Sequence, residues 1–351
     1  MEKHTDGGIC ASMKFRNHHK LIMGLFIVGI AVSVPLSVFF GSASVSFSDV
    51  LNVVNGLFNG NENVDPSLHT IVWNLRVPRV ILALACGCGL SVCGVTMQAV
   101  TRNVMAEPYT LGVASGASVM AALFITRLEG VVNIPFGVQM FAFIGAILAM
   151  VLVYSFASIK SYASNFKLIL TGIVIGMVCT AIRELLIATT HNPNKVNAVV
   201  LWEMGAFGAA RWNNILFPVI CAIGGAIFLY IMSEKLNLIS VGEETATSLG
   251  VSIKTLQRVV LIVTSLLTGA MVASSGIISF VGLIIPHIIR KIVGADNTKV
   301  LPLSALSGAF FMIWTDVISR VVIAPEEMAV SILTSLVGGP LLLLLMRKER
   351  S

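Results

Sequence analysis

Charge is what this sequence has little of: Asp, Glu, Lys and Arg make up 11% of its 351 residues, against about a quarter in an ordinary soluble domain. With apolar residues at 56%, the chain carries more apolar surface than a fold in water can bury, and its expected solvent is lipid. No GxxxxGK[ST] loop is present to cradle phosphates, so this chain is not expected to bind ATP. No basic run with interleaved aromatics occurs, and the net charge of +6 reads as loop cations distributed by topology, not as a nucleic-acid footprint. Cysteines are few: Cys10, Cys86, Cys88, Cys93, Cys179 and Cys221. All but Cys10 lie in or beside apolar stretches, and without a CxxC pair or a nearby histidine they read as small core residues, with no metal site and no cofactor expected.

What is present is a succession of apolar runs, at about 21–40, 77–100, 110–126, 134–157, 168–188, 215–232, 259–273, 277–289, 300–324 and 328–346. Each has the composition of a membrane helix, because only internally bonded backbone survives in hydrocarbon. The expectation is an all-α polytopic protein of about ten transmembrane helices: a short tail, 1–20, then one membrane domain over 21–351. The first run is longer than the about 7–15 apolar residues of a secretory signal, which favours an uncleaved first helix. The stretch from Val199 to Ala210 is too short to span and reads as interfacial or re-entrant, flanked by Trp202 and Trp212.

The runs 259–273 and 277–289 are separated only by Ser274, Ser275 and Gly276, and each falls short of the about 20 residues a span needs. Charge decides how to count them. With two passes, most of the 23 cations fall on the side of the N-terminus, including Arg290, Lys291, Lys299, Arg347, Lys348 and Arg350. Merging the pair moves these outside and brings Arg320 in, and the positive-inside bias disappears. A break at Ser274–Gly276 is therefore expected, with both termini cytoplasmic and a large external loop from Gly41 to Arg76. Small residues four apart, such as Gly112 and Gly116, Gly172 and Gly176, or Ser304 and Gly308, let helices approach closely.

The loop 233–258 is expected on the cytoplasmic side. Its Ser240-Val241-Gly242-Glu243 has capping-box spacing, and Gly250 closes the following stretch, so a short capped helix is expected. Ser252 marks a second start. Such an element can pass force to a soluble partner, or merely connect two spans. Arg183, Glu184 and Asp316 fall within apolar runs, where charge is costly enough to demand pairing or a wet cavity. Asp316 and Arg320 are four apart and can pair. Pro108 disfavours helix at Glu107 and lets the chain turn there, and His287 reads as a packing residue.

Six stretches together resemble one known family: Leu75-Arg76-Val77-Pro78-Arg79, QAVTRNVMAEPYTLGVASG over Gln98–Gly116, VGEETATSLGV over Val241–Val251, ISFVGLIIPHIIR over Ile278–Arg290, Leu301-Pro302-Leu303-Ser304, and DVISR over Asp316–Arg320. The chain is similar to the FecCD type of ATP-binding-cassette permease, which imports ferric siderophores, haem and cobalamin. The resemblance implies a homodimer or close heterodimer of ten-helix subunits in a prokaryotic cell membrane, two cytoplasmic ATPase subunits that carry the ATP and Mg, and an external substrate-binding protein. It assigns Arg76, Arg79 and Arg320 to docking acidic residues of that binding protein, which suits the guanidinium fork. The bland reading is that Arg76 and Arg79 snorkel at a helix start. It also assigns Ser240, Gly242, Glu243, Glu244, Leu249 and Gly250 to a helix that couples to the ATPase.

The rival expectation is a secondary transporter driven by an ion gradient, for which Asp316, Glu184 and Glu203 are the candidate acids. An intramembrane serine protease built on Ser115 and His287 is not supported, because no oxyanion donor accompanies them.

Overall fold

The structure, a computed structural model, describes residues 19–41, 45–59, 65–157, 165–241 and 252–349. Every regular element among them is helical. In chain order these are α1 (His19–Phe39), α2 (Phe47–Asn59), α3 (Pro66–Thr101), α4 (Val113–Leu128), α5 (Gly137–Ala157), α6 (Asn165–Ala188), α7 (Pro193–Glu203), α8 (Trp212–Ile231), α9 (Ser233–Val241), α10 (Ile253–Ser275), α11 (Val281–Val293), α12 (Asn297–Val321) and α13 (Val330–Glu349). Each of the ten apolar runs coincides with a helix over most of its length. Among the described residues α1, α3, α5, α6, α8, α10 and α12 are long and apolar enough to cross a membrane, and α4 and α13 are shorter apolar helices.

Helix α3 is the axis of the bundle, with α8, α10, α11 and α12 packed around it. It is buried on nearly every side, as its small residues allow. A Cβ on Gly94 would stand 1.6 Å from the carbonyl oxygen of Gly282 on α11, and one on Gly87 would stand 2.2 Å from that of Gly308 on α12. Cys86 and Cys93 fill this core with no exposed surface. A second cluster joins α4 to α5, where Gly116 and Gly145 each face the other's carbonyl oxygen. Helix α6 sits at the edge, with only 11% of its apolar window buried.

Several expectations need correction. The stretch from Gly41 to Arg76 is not a simple loop. It holds α2, and α3 begins inside it at Pro66, N-capped by Asp65 and widened by a π-type turn over Thr70–Arg76. The break after Ser275 is present, but its two sides are unequal. Helix α10 has 23 residues, whereas α11 has 13, or about 20 Å at 1.5 Å per residue, too short for a hydrocarbon core of about 30 Å. The Val199–Ala210 stretch is part helix, to Glu203, and part irregular turn, with Phe207 and Ala210 buried.

In the 233–258 loop, Ser240 lies in the last turn of α9, so it does not start a helix. Residues 242–251, with Gly242, Glu243, Glu244, Leu249 and Gly250, lie outside the described residues. Ser252 is the N-cap residue of α10, yet its hydroxyl pairs with that of Thr255 at 3.0 Å, not with a backbone N–H. Helix α9 is tied to the start of α12. Asn237 donates to Asp296 Oδ1 at 2.9 Å and accepts from the Asn297 amide at 2.8 Å, while Asp296 caps α12 through the Thr298 amide and hydroxyl. Burial pushes the Asp296 carboxyl up, but the donors Thr298 and Asn237, with Lys299, outweigh it and hold it down at about 2.

Two predictions follow from the packing and the cap. Gly94→Val should abolish or sharply reduce folded protein, whereas Gly224→Ala, with nothing within 4 Å of the new Cβ, should leave the melting temperature in detergent unchanged; equal behaviour would contradict the α3–α11 crossing. Removing the cap with Asp296→Ala should cost about 1 kcal/mol. Since the folded pKa lies below the unfolded value of about 3.9, that difference should be complete at neutral pH and fade as pH falls towards 2. Melting curves across pH would refute the capping account if the difference persisted there.

Candidate functional site: an arginine-lined mouth

At the end of the bundle where α3 begins, four guanidinium groups converge. Arg76 closes the widened turn of α3 and Arg79 follows three residues later, so both lie on one face. Arg320 stands in the last turn of α12, and Arg211 precedes α8. With Gly41, Leu75, Gly208 and Glu327 they line a cavity of about 240 Å³.

Asp316 organises the floor. Its side chain is 1% exposed, with Oδ1 accepting from Arg79 Nε at 2.8 Å and Oδ2 lying 3.1 Å from Arg320 Nη2. Arg320 also donates to the carbonyls of Phe40 at 2.7 Å and Ser37 at 3.2 Å, and Arg76 to those of Val38 at 2.7 Å and Phe39 at 3.1 Å. These are the carbonyls that the end of α1 cannot bond internally, and they carry the negative end of its dipole. Two arginines from α3 and α12 thus cap α1. Arg79 Nη1 receives a second carboxylate, Glu327, at 2.9 and 2.8 Å to its two oxygens. Glu327 stands on the turn between α12 and α13 with its side chain 37% exposed.

The structure therefore brings Arg76, Arg79 and Arg320 together, but as buried groups whose donors are engaged inside the chain. The exposed cation of the mouth is Arg211, held by its Nη1 on the carbonyls of Gly208 and Ala210. It was not among the sequence candidates, although it carries the same signal as Arg76: a cation just before an apolar helix.

From the mouth a hydrogen-bonded strap leads inward. The Val330 amide donates to Gly205 at 3.0 Å, Ser331 Oγ donates to Met204, and the Ala206 amide donates to Ser275 at 2.8 Å, at the break. Gly205 has φ of 69° and Gly276 has φ of 72°. They nest so tightly that a Cβ on Gly276 would stand 2.1 Å from the Trp202 carbonyl. Beyond the break, the Phe280 amide donates to Glu107 Oε1 at 2.7 Å and Tyr109 donates to the Ile278 carbonyl at 2.8 Å. Glu107 therefore reaches back from the end of α3 to hold the start of α11.

Tyr109 also opens onto a second depression, of about 500 Å³, lined by Ser115, Thr180 and Glu184 along the bare face of α6. Near it, Arg183 pairs with Glu203, which also accepts from Ser118, and lies 3.4 Å from Glu184.

These features describe a polytopic helical protein of membrane-span composition with a cationic mouth at one end and a partly polar depression along its side. Residues 27–348 match the FecCD transport family, and the chain belongs to it. It is 37% identical over 336 residues to the ABC transporter permease protein YvrB of Bacillus subtilis, covering 93% of this chain and 94% of that one. It is 33% identical to the hemin transport system permease protein HmuU of Yersinia pestis, over 96% of this chain and 98% of the relative. Among solved structures it superimposes with a TM-score of 0.80 and 30% identity on a protein described as a metal-chelate type ABC transporter in an inward-facing conformation, covering 94% of this chain and 99% of that one.

The two carboxylates on Arg79 should differ in weight. Asp316→Ala strands two buried guanidinium groups and should cost about 3–5 kcal/mol. Glu327→Gln breaks a part-exposed pair and should cost about 0–1 kcal/mol. Chemical denaturation in detergent measures both, and a small loss for Asp316→Ala would overturn the organising role of that residue.

Proposed function

We propose that this chain is the membrane permease of an ATP-driven importer that receives a metal chelate from an external binding protein and passes it to the cytoplasm. The arginine-lined mouth carries this reading: it fits acidic residues of a soluble partner arriving from outside, and on this reading the start of α3 faces outward. Arg76, Arg79 and Arg320 form its floor and Arg211 its rim.

The bare face of α6, with its partly polar depression, fits coverage by a second permease subunit, so that two copies enclose one pathway. At the opposite end, α9 joins the start of α12 through Asn237 and Asp296, and the stretch Ser240–Gly250, which the resemblance assigns to ATPase contact, begins in the last turn of α9. The ATP and Mg belong to two cytoplasmic ATPase subunits. The cargo is a ferric siderophore or a related chelate such as haem or cobalamin, in line with the hemin relative.

The rival ion-gradient reading needs free intramembrane acids. Asp316 is locked between two arginines and Glu203 is held by Arg183 and Ser118, which weakens it and leaves it Glu184, 65% exposed and 3.4 Å from Arg183.

Uptake of haem and of ferric siderophores into proteoliposomes holding the permease, its ATPase and its binding protein should require ATP and the ATPase and survive an ionophore. Uptake that collapses with the ionophore and persists without the ATPase would establish the rival.

A further inference from the structure

We propose that Glu327 is a stand-in ligand: it occupies on Arg79 the place that a carboxylate of the external partner takes on docking, and the partner displaces it after first meeting Arg211. The proposal rests on the docking reading above and adds how the site is kept and exchanged.

Arg79 holds two carboxylates in unequal ways. Asp316 is buried, sits on Nε and is shared with Arg320. Glu327 is part-exposed, and both its oxygens lie on the single nitrogen Nη1, short of the two-nitrogen fork that makes arginine–carboxylate pairs strong. Gly208 lies against this contact without a side chain to cover it: an added Cβ would touch the pair, 3.6 Å from Glu327 Oε2 and 3.7 Å from Arg79 Nη1, and the Glu327 side chain is 37% exposed. The cavity opens beside it, with exposed Arg211 on the rim.

Charge favours an exchange. Four guanidinium groups line the cavity against the two carboxylates of Asp316 and Glu327, so an added carboxylate meets net positive charge. Arg79 is never left uncompensated, because one carboxylate enters as the other leaves. Backbone anchors on both sides of Glu327 hold its turn, the Glu326 amide to the Ile323 carbonyl at 3.2 Å before it, and after it the Met328 amide to Ser319 at 2.9 Å and the Val330 amide to Gly205 at 3.0 Å. The side chain can swing out while the turn stays attached to the strap that leads to the break.

The test uses the full chain with its ATPase subunits in lipid nanodiscs, and fluorescein-labelled hexaglutamate as the probe, read by anisotropy at low salt. Glu327→Gln, which removes the competing charge without removing bulk, should tighten hexaglutamate binding about tenfold, and Arg211→Gln should weaken it by a similar factor. Unchanged or weaker binding to Glu327→Gln, with the Arg211→Gln loss still seen, would overturn the exchange and leave the docking reading standing. No binding to wild type or to Glu327→Gln would overturn the docking reading itself.

Discussion

A carboxylate buried between two guanidinium groups is the constraint on which the rest of this structure depends. Asp316 alone would be costly inside an apolar bundle, and so would Arg79 or Arg320. Together they satisfy one another and draw three helices to one point: Arg79 brings α3, Asp316 and Arg320 bring α12, and the surplus donors of Arg320, with those of Arg76, hold the open end of α1. The close α3–α12 crossing through Gly87 and Gly308 serves the same end, because without it the charged ends could not meet.

That fixed point matters because the elements around it are irregular. The turn between α12 and α13, the irregular residues 204–210 and the break after Ser275 have no helical ladder of their own, so their backbone groups must find partners elsewhere. They find them in each other, through Val330 and Ala206, and in the Glu107 side chain, which takes the Phe280 amide. Non-helical backbone is tolerated at membrane depth only where protein or a wet cavity receives it, and here protein receives it. At the opposite end α9 is pinned to α12 through Asn237 and Asp296.

Much of this was legible in the sequence. Low charge and long apolar runs predict helices, and each of the ten runs is helical over most of its length, because the backbone in lipid has few alternatives. The pairing of Asp316 with Arg320 followed from their spacing, and the break after Ser275 from the distribution of cations. What stayed hidden depends on contacts distant in sequence: Arg79 meeting Asp316, Glu107 holding the Phe280 amide, and Glu327 sharing Arg79. The helix inside Gly41–Arg76 was missed because its polar residues read as loop, and Arg211 because it stands outside the motifs that carry the family resemblance.

If mouth and break form one unit anchored on Asp316, loosening that anchor should loosen both. Amide hydrogen exchange in nanodiscs tests it most directly, comparing wild type with Asp316→Asn. Val330, Ala206 and Phe280 should lose protection together while the α4–α5 contact around Gly116 and Gly145 keeps it. Loss confined to Val330, with Ala206 and Phe280 unmoved, would contradict it.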